Sequence, residues 1–398
     1  MGYDGTLKFD TSIDSSGFQS GLKKINGIAS SAMKATAAVI GGGAAAVAGL
    51  GVAAIKVGSD FEEQMSRVQA ISGATGEDFE KLKAQAVKLG ADTAFSAKEA
   101  AQGMENLASA GFNTNEIMEA MPGMLDLAAS SGEDLASSSD IAASTLRGFG
   151  LAASDAGHVA DVLAKNAADT NAAVGDTGEA MKYVAPVAHA MGLSFEECTA
   201  AIGIMADAGI KGSQAGTTLR GALSRLAKPP KSIKEVMEDL GLSFYDSNGK
   251  MKSLSEMVAM LQDKMSGLTD EQKQQALVTL FGQESLSGML ALIDKGPEGI
   301  SELTASFEDC DGAAAEMAAT MQNNLKSQIE QLGGSLESLG IAVYDKLKTP
   351  LTETTKAIGE MADELLNAFE TNGFDGLVDQ FGDSLAQLSQ MAMNAAPQ

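Results

Sequence analysis

Apolar side chains recur at helical spacing along most of this chain, and polar signals open the runs. A Ser or Thr followed three residues later by Glu or Gln stands at Ser59…Glu62, Ser96…Glu99, Ser194…Glu197, Ser253…Glu256 and Thr269…Gln272. In such a capping box each side chain satisfies an amide that a helix start leaves free. Five matches ahead of apolar-periodic runs predict helix after helix. The acid pairs Glu62-Glu63 and Glu196-Glu197 fit helix starts, where the macrodipole favours anions. The pattern also repeats at an offset of 98 residues: Ser96, Glu99, Ala108, Ala110 and Gly111 recur as Ser194, Glu197, Ala206, Ala208 and Gly209. A capped helix ending in Ala-Gly is the repeated unit, which predicts duplicated helical hairpins.

The apolar residues Met321, Leu325, Ile329, Leu332, Leu336, Leu339, Val343 and Leu347 follow one another at spacings of four or three. Such a seam predicts a coiled coil or long packed helix, along which copies associate into a small oligomer. Gly333-Gly334 weakens it in the middle. Elsewhere Thr6–Asp10 alternates as a short strand, with a helix from Ser16 to Ile28. Ser243–Asp246 and Lys250–Lys252 flank Ser247-Asn248-Gly249, a hairpin signal. Phe244 and Ser255 occupy the first and last ligand positions of a calcium loop, so this is read as a turn. Pro229-Pro230 cannot continue a helix and marks a boundary.

The expected fold class is mainly α: helical hairpins and long helices, one small β-hairpin and a short N-terminal strand. The expected divisions are a strand–helix segment (1–34), an uncharged Ala/Gly-rich helix (35–58), a helical core (59–230), a helical region with the hairpin (231–312), and a coiled-coil-like helix with an acidic tail (313–398).

The uncharged segment, Ala35 to Ile55, reads ATAAVIGGGAAAVAGLGVAAI. It is long enough to span a bilayer as a helix. Its six large apolar residues, among them Ile40, Leu50 and Ile55, provide roughly −2 to −3.5 kcal/mol of insertion energy. Five glycines set against that about 1 kcal/mol each relative to Ala. Small residues four apart, such as Gly42 with Ala46 and Ala45 with Gly49, allow close helix contact in water or lipid. Two readings stand: a helix buried in protein, or a segment that enters a membrane conditionally.

Composition narrows the function. The chain has 398 residues with 28 basic and 53 acidic side chains, a net charge of −25. Phosphate binding needs clustered Lys and Arg, so sequence-specific nucleic-acid binding is not expected. Two cysteines, Cys198 and Cys310, are too few and too distant for a disulfide framework. Trp is absent and Met abundant, which suits an adaptable helical assembly better than a shaped enzyme pocket.

No catalytic, metal or cofactor pattern emerges. His158 and His189 lack metal spacing, and His189 reads as structural. Ser20…Lys23 and Ser31…Lys34 lack the companion motifs of Ser-x-x-Lys enzymes. Gly49-x-Gly51-x-x-Ala54 follows an Ala-rich helix where a dinucleotide fingerprint needs a strand. The chain is expected not to be an enzyme.

Longer runs carry a likeness. Ser59-Asp60-Phe61-Glu62, Met65-Ser66-Arg67-Val68 and Ile71-Ser72-Gly73-Ala74-Thr75 are followed by Leu89-Gly90-Ala91-Asp92-Thr93-Ala94-Phe95-Ser96 and Leu107-Ala108-Ser109-Ala110-Gly111-Phe112. Ile204-Met205-Ala206-Asp207-Ala208-Gly209-Ile210-Lys211-Gly212-Ser213, Gly216-Thr217-Thr218-Leu219-Arg220, Phe244-Tyr245-Asp246-Ser247-Asn248-Gly249-Lys250 and Phe281-Gly282 continue the pattern. Together they resemble the core region of phage tail tape measure proteins, over about residues 4–350. The resemblance implies a scaffold on which the tail tube protein polymerises, with chain length setting tail length. It further implies tail assembly chaperones and tail-tip proteins as partners, and location in the host bacterial cytoplasm and then the tail lumen. At infection it implies host membrane contact during genome ejection. The alternative is a prophage-derived helical adaptor or pore-forming component of a tail-like particle.

Overall fold

In the computed structural model, residues 44–345 are described, with isolated positions 348, 352, 364, 367, 371 and 380. The N-terminal strand and helix expected before Ile28 and most of the acidic tail lie outside the described residues. The chain divides into two compact units, Ser59–Leu339 and the pairing of Met1–Gly58 with Gly340–Gln398.

The described chain is helical almost throughout. Its helices are α1 (Ala44–Ser72), α2 (Glu77–Asp92), α3 (Ala97–Ser109), α4 (Thr114–Ser131), α5 (Leu135–Phe149), α6 (Ala156–Asp169) and α7 (Val174–Met191). There follow α8 (Phe195–Asp207), α9 (Gly212–Ala227), α10 (Lys231–Leu240), α11 (Leu254–Met265), α12 (Asp270–Phe281), α13 (Leu286–Glu308) and α14 (Ala313–Gln322). Residues 325–345 form a further helix.

Capping boxes form at Ser96, Ser253 and Thr269. Ser194 caps α8, but the Glu197 carboxylate accepts instead from the Leu254 amide. Ser59, Glu62 and Glu63 start nothing, because α1 runs through them without a break. The repeated unit is real: Gly111 and Gly209 have φ of 84° and 85°, and each lets the next residue reach back, Phe112 to the Leu107 carbonyl and Ile210 to that of Met205.

Consecutive helices alternate between two rows. In one, α3 packs on α5, α5 on α7 and α7 on α9; in the other, α4 packs on α6 and α6 on α8, with α14 across α4 and α6 and α13 against α8. Glycine marks these crossings. A β-carbon on Gly148 would stand 2.7 Å from Ala185 Cβ, one on Gly178 2.6 Å from Ile141, and one on Gly123 2.8 Å from the Ala156 carbonyl. On Gly216 it would overlap the Ala180 backbone. Small side chains let the axes approach, and Phe61, Met65, Met104, Leu107, Ile117, Met121, Met124 and Leu127 are fully buried.

Where helices break, side chains serve the freed backbone. Pro122 inside α4 deprives the Met118 carbonyl of its donor, and Gln85 Nε2 donates to it at 2.9 Å. The kink of α13 at Gly296 and Pro297 leaves the Ile293 carbonyl, which Gln262 Nε2 serves at 2.8 Å. Arg147 donates to the Ala110 and Gly111 carbonyls beyond α3, and Arg225 to those of Thr279 and Leu280 ending α12.

The expected hairpin is not a sheet. Among the described residues only one antiparallel bridge forms there, Tyr245 with Met251. Asp246 Oδ1 accepts from the Asn248 and Lys250 amides, so the turn is tied by a side chain. The Ser253 cap then begins α11 before a ladder can extend.

Candidate assembly surface

The helix at 325–345 docks on its polar side. Gln331 Nε2 donates to the Asp92 carbonyl at 3.2 Å, and the hydroxyls of Ser335 and Ser338 donate to those of Ala91 and Val87 at 3.2 and 3.1 Å. Asp92 and Ala91 lie in the last turn of α2, where helix carbonyls lack partners of their own, and Val87 lies one turn earlier. Glu337 accepts from the Lys98 amide in the first turn of α3. Burial raises the Glu337 pKa, with that amide acting the other way. Gly334 makes the approach possible, since its Cα side meets the Gly90 carbonyl directly.

The apolar side is left open. Leu325, Ile329, Leu332, Leu336 and Leu339, all in the larger unit, are between 59% and 71% exposed. Val343, in the smaller unit, is 40% exposed. Met321 is also exposed but belongs to α14, which ends before Asn324 caps the next helix. Leu347 lies outside the described residues. A surface helix ordinarily buries its apolar stripe and hydrates its polar one. Here the two are exchanged.

Of the uncharged segment, Ala35, Ile40 and Gly42 lie outside the described residues; Ala46, Gly49, Leu50 and Ile55 are in α1. Within the smaller unit Ala54 and Ile341 are buried, Gly340 approaches Ala54 and Val57, and Gly58 abuts the Tyr344 ring. Among the described residues no single helix is long and apolar enough to cross a membrane, and α12 with α13 would qualify only as a pair bent by 120°.

Chemistry is sparse. Among the described residues no group of His, Cys, Asp and Glu could hold a metal ion. His189 lies against Gly150 at the end of α5. His158 stands between Glu196 and Asp311, 3.1 and 2.9 Å away. A cleft of about 570 Å³ contains Ser194, Glu197, Lys250, Ser253, Glu256 and Glu308. Most of its polar groups already serve helix starts: Ser194 and Ser253 cap α8 and α11, and Glu197 holds the Leu254 amide. Burial pushes the Glu197 carboxyl up despite that bond. The arrangement fastens helices.

Sequence reasoning passed over Gln85, Arg147, Asp161, Arg225 and Gln262, each of which holds the backbone of a remote helix or connection. Only the prolines beside two of their acceptors hint at them.

The chain is 62% identical over 319 residues to the "Tape measure protein" of Pneumococcus phage Dp-1, a match over 80% of this chain and 28% of that protein. It is 31% identical over 313 residues to the "Probable tape measure protein" of Escherichia phage P2, over 77% of this chain and 38% of that one. The chain thus spans well under half the length of these relatives. No solved structure matches it. The family described as "Phage-related minor tail protein" matches across residues 83–282, half of the chain, and this protein belongs to that family.

Proposed function

We propose that this chain acts within a tail tape measure protein, a scaffold that organises the tail tube during assembly and sets its length. The exposed row Leu325–Leu339 carries the reading: a helix that docks by hydroxyls and offers leucines to solvent is built to receive another chain. A second copy fits it by heptad spacing. The names of the two relatives support the same role. The tail tube protein, assembly chaperones and tail-tip proteins are the proposed partners, in the host cytoplasm and then the tail lumen.

Replacing Leu332 and Leu336 together by Glu should spare the fold, since both are exposed. It should abolish self-association in sedimentation and leave phage with absent or irregular tails. Normal sedimentation and normal tails would remove the seam from the account. Length itself is tested by seven-residue insertions into the helix, each expected to add about 10 Å of tail. Tails of constant length across such a series would refute the ruler. For the 35–55 segment we propose conditional membrane contact: Gly42→Asp with Gly49→Asp should block liposome permeabilisation, and undiminished leakage would leave it a packing helix.

A further inference from the structure

His158 joins three parts of the fold. Its Nδ1 lies 2.9 Å from Asp311 Oδ1, in the connection between α13 and α14, and its Nε2 lies 3.1 Å from Glu196 Oε1, in the first turn of α8. Ionised carboxylates only accept, so both contacts are hydrogen bonds when both ring nitrogens carry hydrogen. That is the imidazolium. One turn along α6, Asp161 accepts from the Gly312 and Ala314 amides, each at 2.8 Å, and so covers the start of α14. Two residues three apart on one face of α6 thus grip the same connection.

What they grip is otherwise lightly held. The α14 sequence is AAAEMAATMQ, and across α4 and α6 it buries Ala314 and Ala318. Two alanine methyls with the half-buried Ala313 and Met317 remove less apolar surface from water than the fully buried leucines and methionines that fix the other helices. The polar grip therefore decides whether α14 stays down.

We propose that His158 is a pH-operated latch: charged, it straps residues 311–322 across α4 and α6, and on losing its proton it lets them lift. Burial pulls the His158 pKa down, but the hydrogen bonds and charges of Asp311 and Glu196 outweigh it and hold it above the ordinary 6.5. A pKa raised on folding means the latch is complete below the ordinary value and is lost as pH rises through the raised one. Asp126 on α4 is pushed up by burial and then by Asp161. Lys165 is paired with Asp169 and does not replace the lost positive charge, and the Asp155 carboxylate accepts from the Ala152 amide. Neutral His158 keeps one donor. The Asp311 side chain is 86% exposed and rehydrates readily, whereas that of Glu196 is 17% exposed, so the Asp311 contact is the one surrendered.

Hydrogen exchange of residues 313–320 in the intact chain, corrected for intrinsic rates between pH 6 and 9, tests the latch. In the parent, protection should fall roughly three- to tenfold through the His158 titration, less than a buried charge-assisted bond would give, because Asp311 is exposed. His158→Gln should start at the lower protection and show no step. Should that variant fail to fold, Asp311→Asn decides, because its altered side chain is exposed. With two histidines in the chain, ring proton resonances can follow His158 directly, and its midpoint should drop in Asp311→Asn together with the exchange step. Flat protection in the parent, a step that persists in His158→Gln, or an unmoved midpoint in Asp311→Asn would overturn the proposal.

Discussion

Alanine at Gly333 and alanine at Gly334 should move stability in opposite directions, although the two residues are adjacent in one helix. Around Gly333 nothing lies within 4 Å of where a β-carbon would stand. Alanine there removes only the conformational cost of glycine and should stabilise the helix by about 1 kcal/mol. At Gly334 the β-carbon would overlap the Gly90 carbonyl oxygen and stand 3.0 Å from that of Phe95. Both are backbone atoms, so no side chain can rotate away and the helix must move outward. That movement stretches the bonds of Gln331, Ser335 and Ser338 to α2, which at 3.1 to 3.2 Å have little length to spare. Overpacking of this kind costs about 1–3 kcal/mol, and weakening two part-buried hydrogen bonds costs about 1 kcal/mol more. After the gain in helix propensity, docking should be weaker by about 1–3 kcal/mol. Native-state hydrogen exchange over residues 325–339 is the assay, since loss of docking need not unfold the larger unit. Exchange should quicken about tenfold or more in Gly334→Ala and slow in Gly333→Ala. Shifts of the same sign, or a Gly334→Ala variant as protected as the parent, would refute the docking geometry.

Two further tests address the interior. Gln85→Leu should cost about 1 kcal/mol in urea unfolding, because the Met118 carbonyl loses its donor while the buried, unpartnered Gln85 Oε1 is also removed. In a Pro122→Ala background the new amide serves that carbonyl, so the same change should cost almost nothing; additive values in the double-mutant cycle would refute the pairing. Burial pushes the Cys310 thiol up to about 12 and that of Cys198 higher still. Neither should react with a maleimide at pH 8 until the chain is unfolded, and rapid native labelling of Cys310 would contradict its burial.

The helices were legible because their start signals are local. Ser96, Ser253 and Thr269 each bond within three residues, so sequence spacing alone specifies the geometry. Ser59 failed for the same reason in reverse: its box is locally sound, but α1 already supplies helical partners on both sides. Asn113 and Asp134 cap helices equally well, although neither fits the Ser-or-Thr capping-box pattern. The Asn248-Gly249 turn was legible as a turn; its failure to seed strands depended on how soon the Ser253 cap follows. The partners of Gly148, Gly178 and Gly216 were not legible, since each glycine meets a residue more than thirty positions away. Local pattern carries no information on which turn of one helix crosses which turn of another. The partners of His158 were not legible either, because its two carboxylates lie 38 and 153 residues distant.

The spacing of the seam was legible, but its orientation was not. Leucines at three and four predict one apolar face whether that face packs on its own chain or awaits another. What decides is the opposite face, where Ser335, Ser338 and Gly334 meet the carbonyls of α2 and Gly90. A hydroxyl can cover a helix end and a leucine cannot, so the polar side docks and the apolar side turns outward. The charge distribution agrees with that outcome. On a chain of net charge −25, residues 325–343 carry only Lys326 and Glu330, which pair, and Glu337, which is turned onto the Lys98 amide. Like-charged copies repel over a Debye length of about 8 Å at physiological salt. Close approach is therefore least opposed along a line that combines exposed leucines with almost no charge, and the row from Leu325 to Leu339 is such a line.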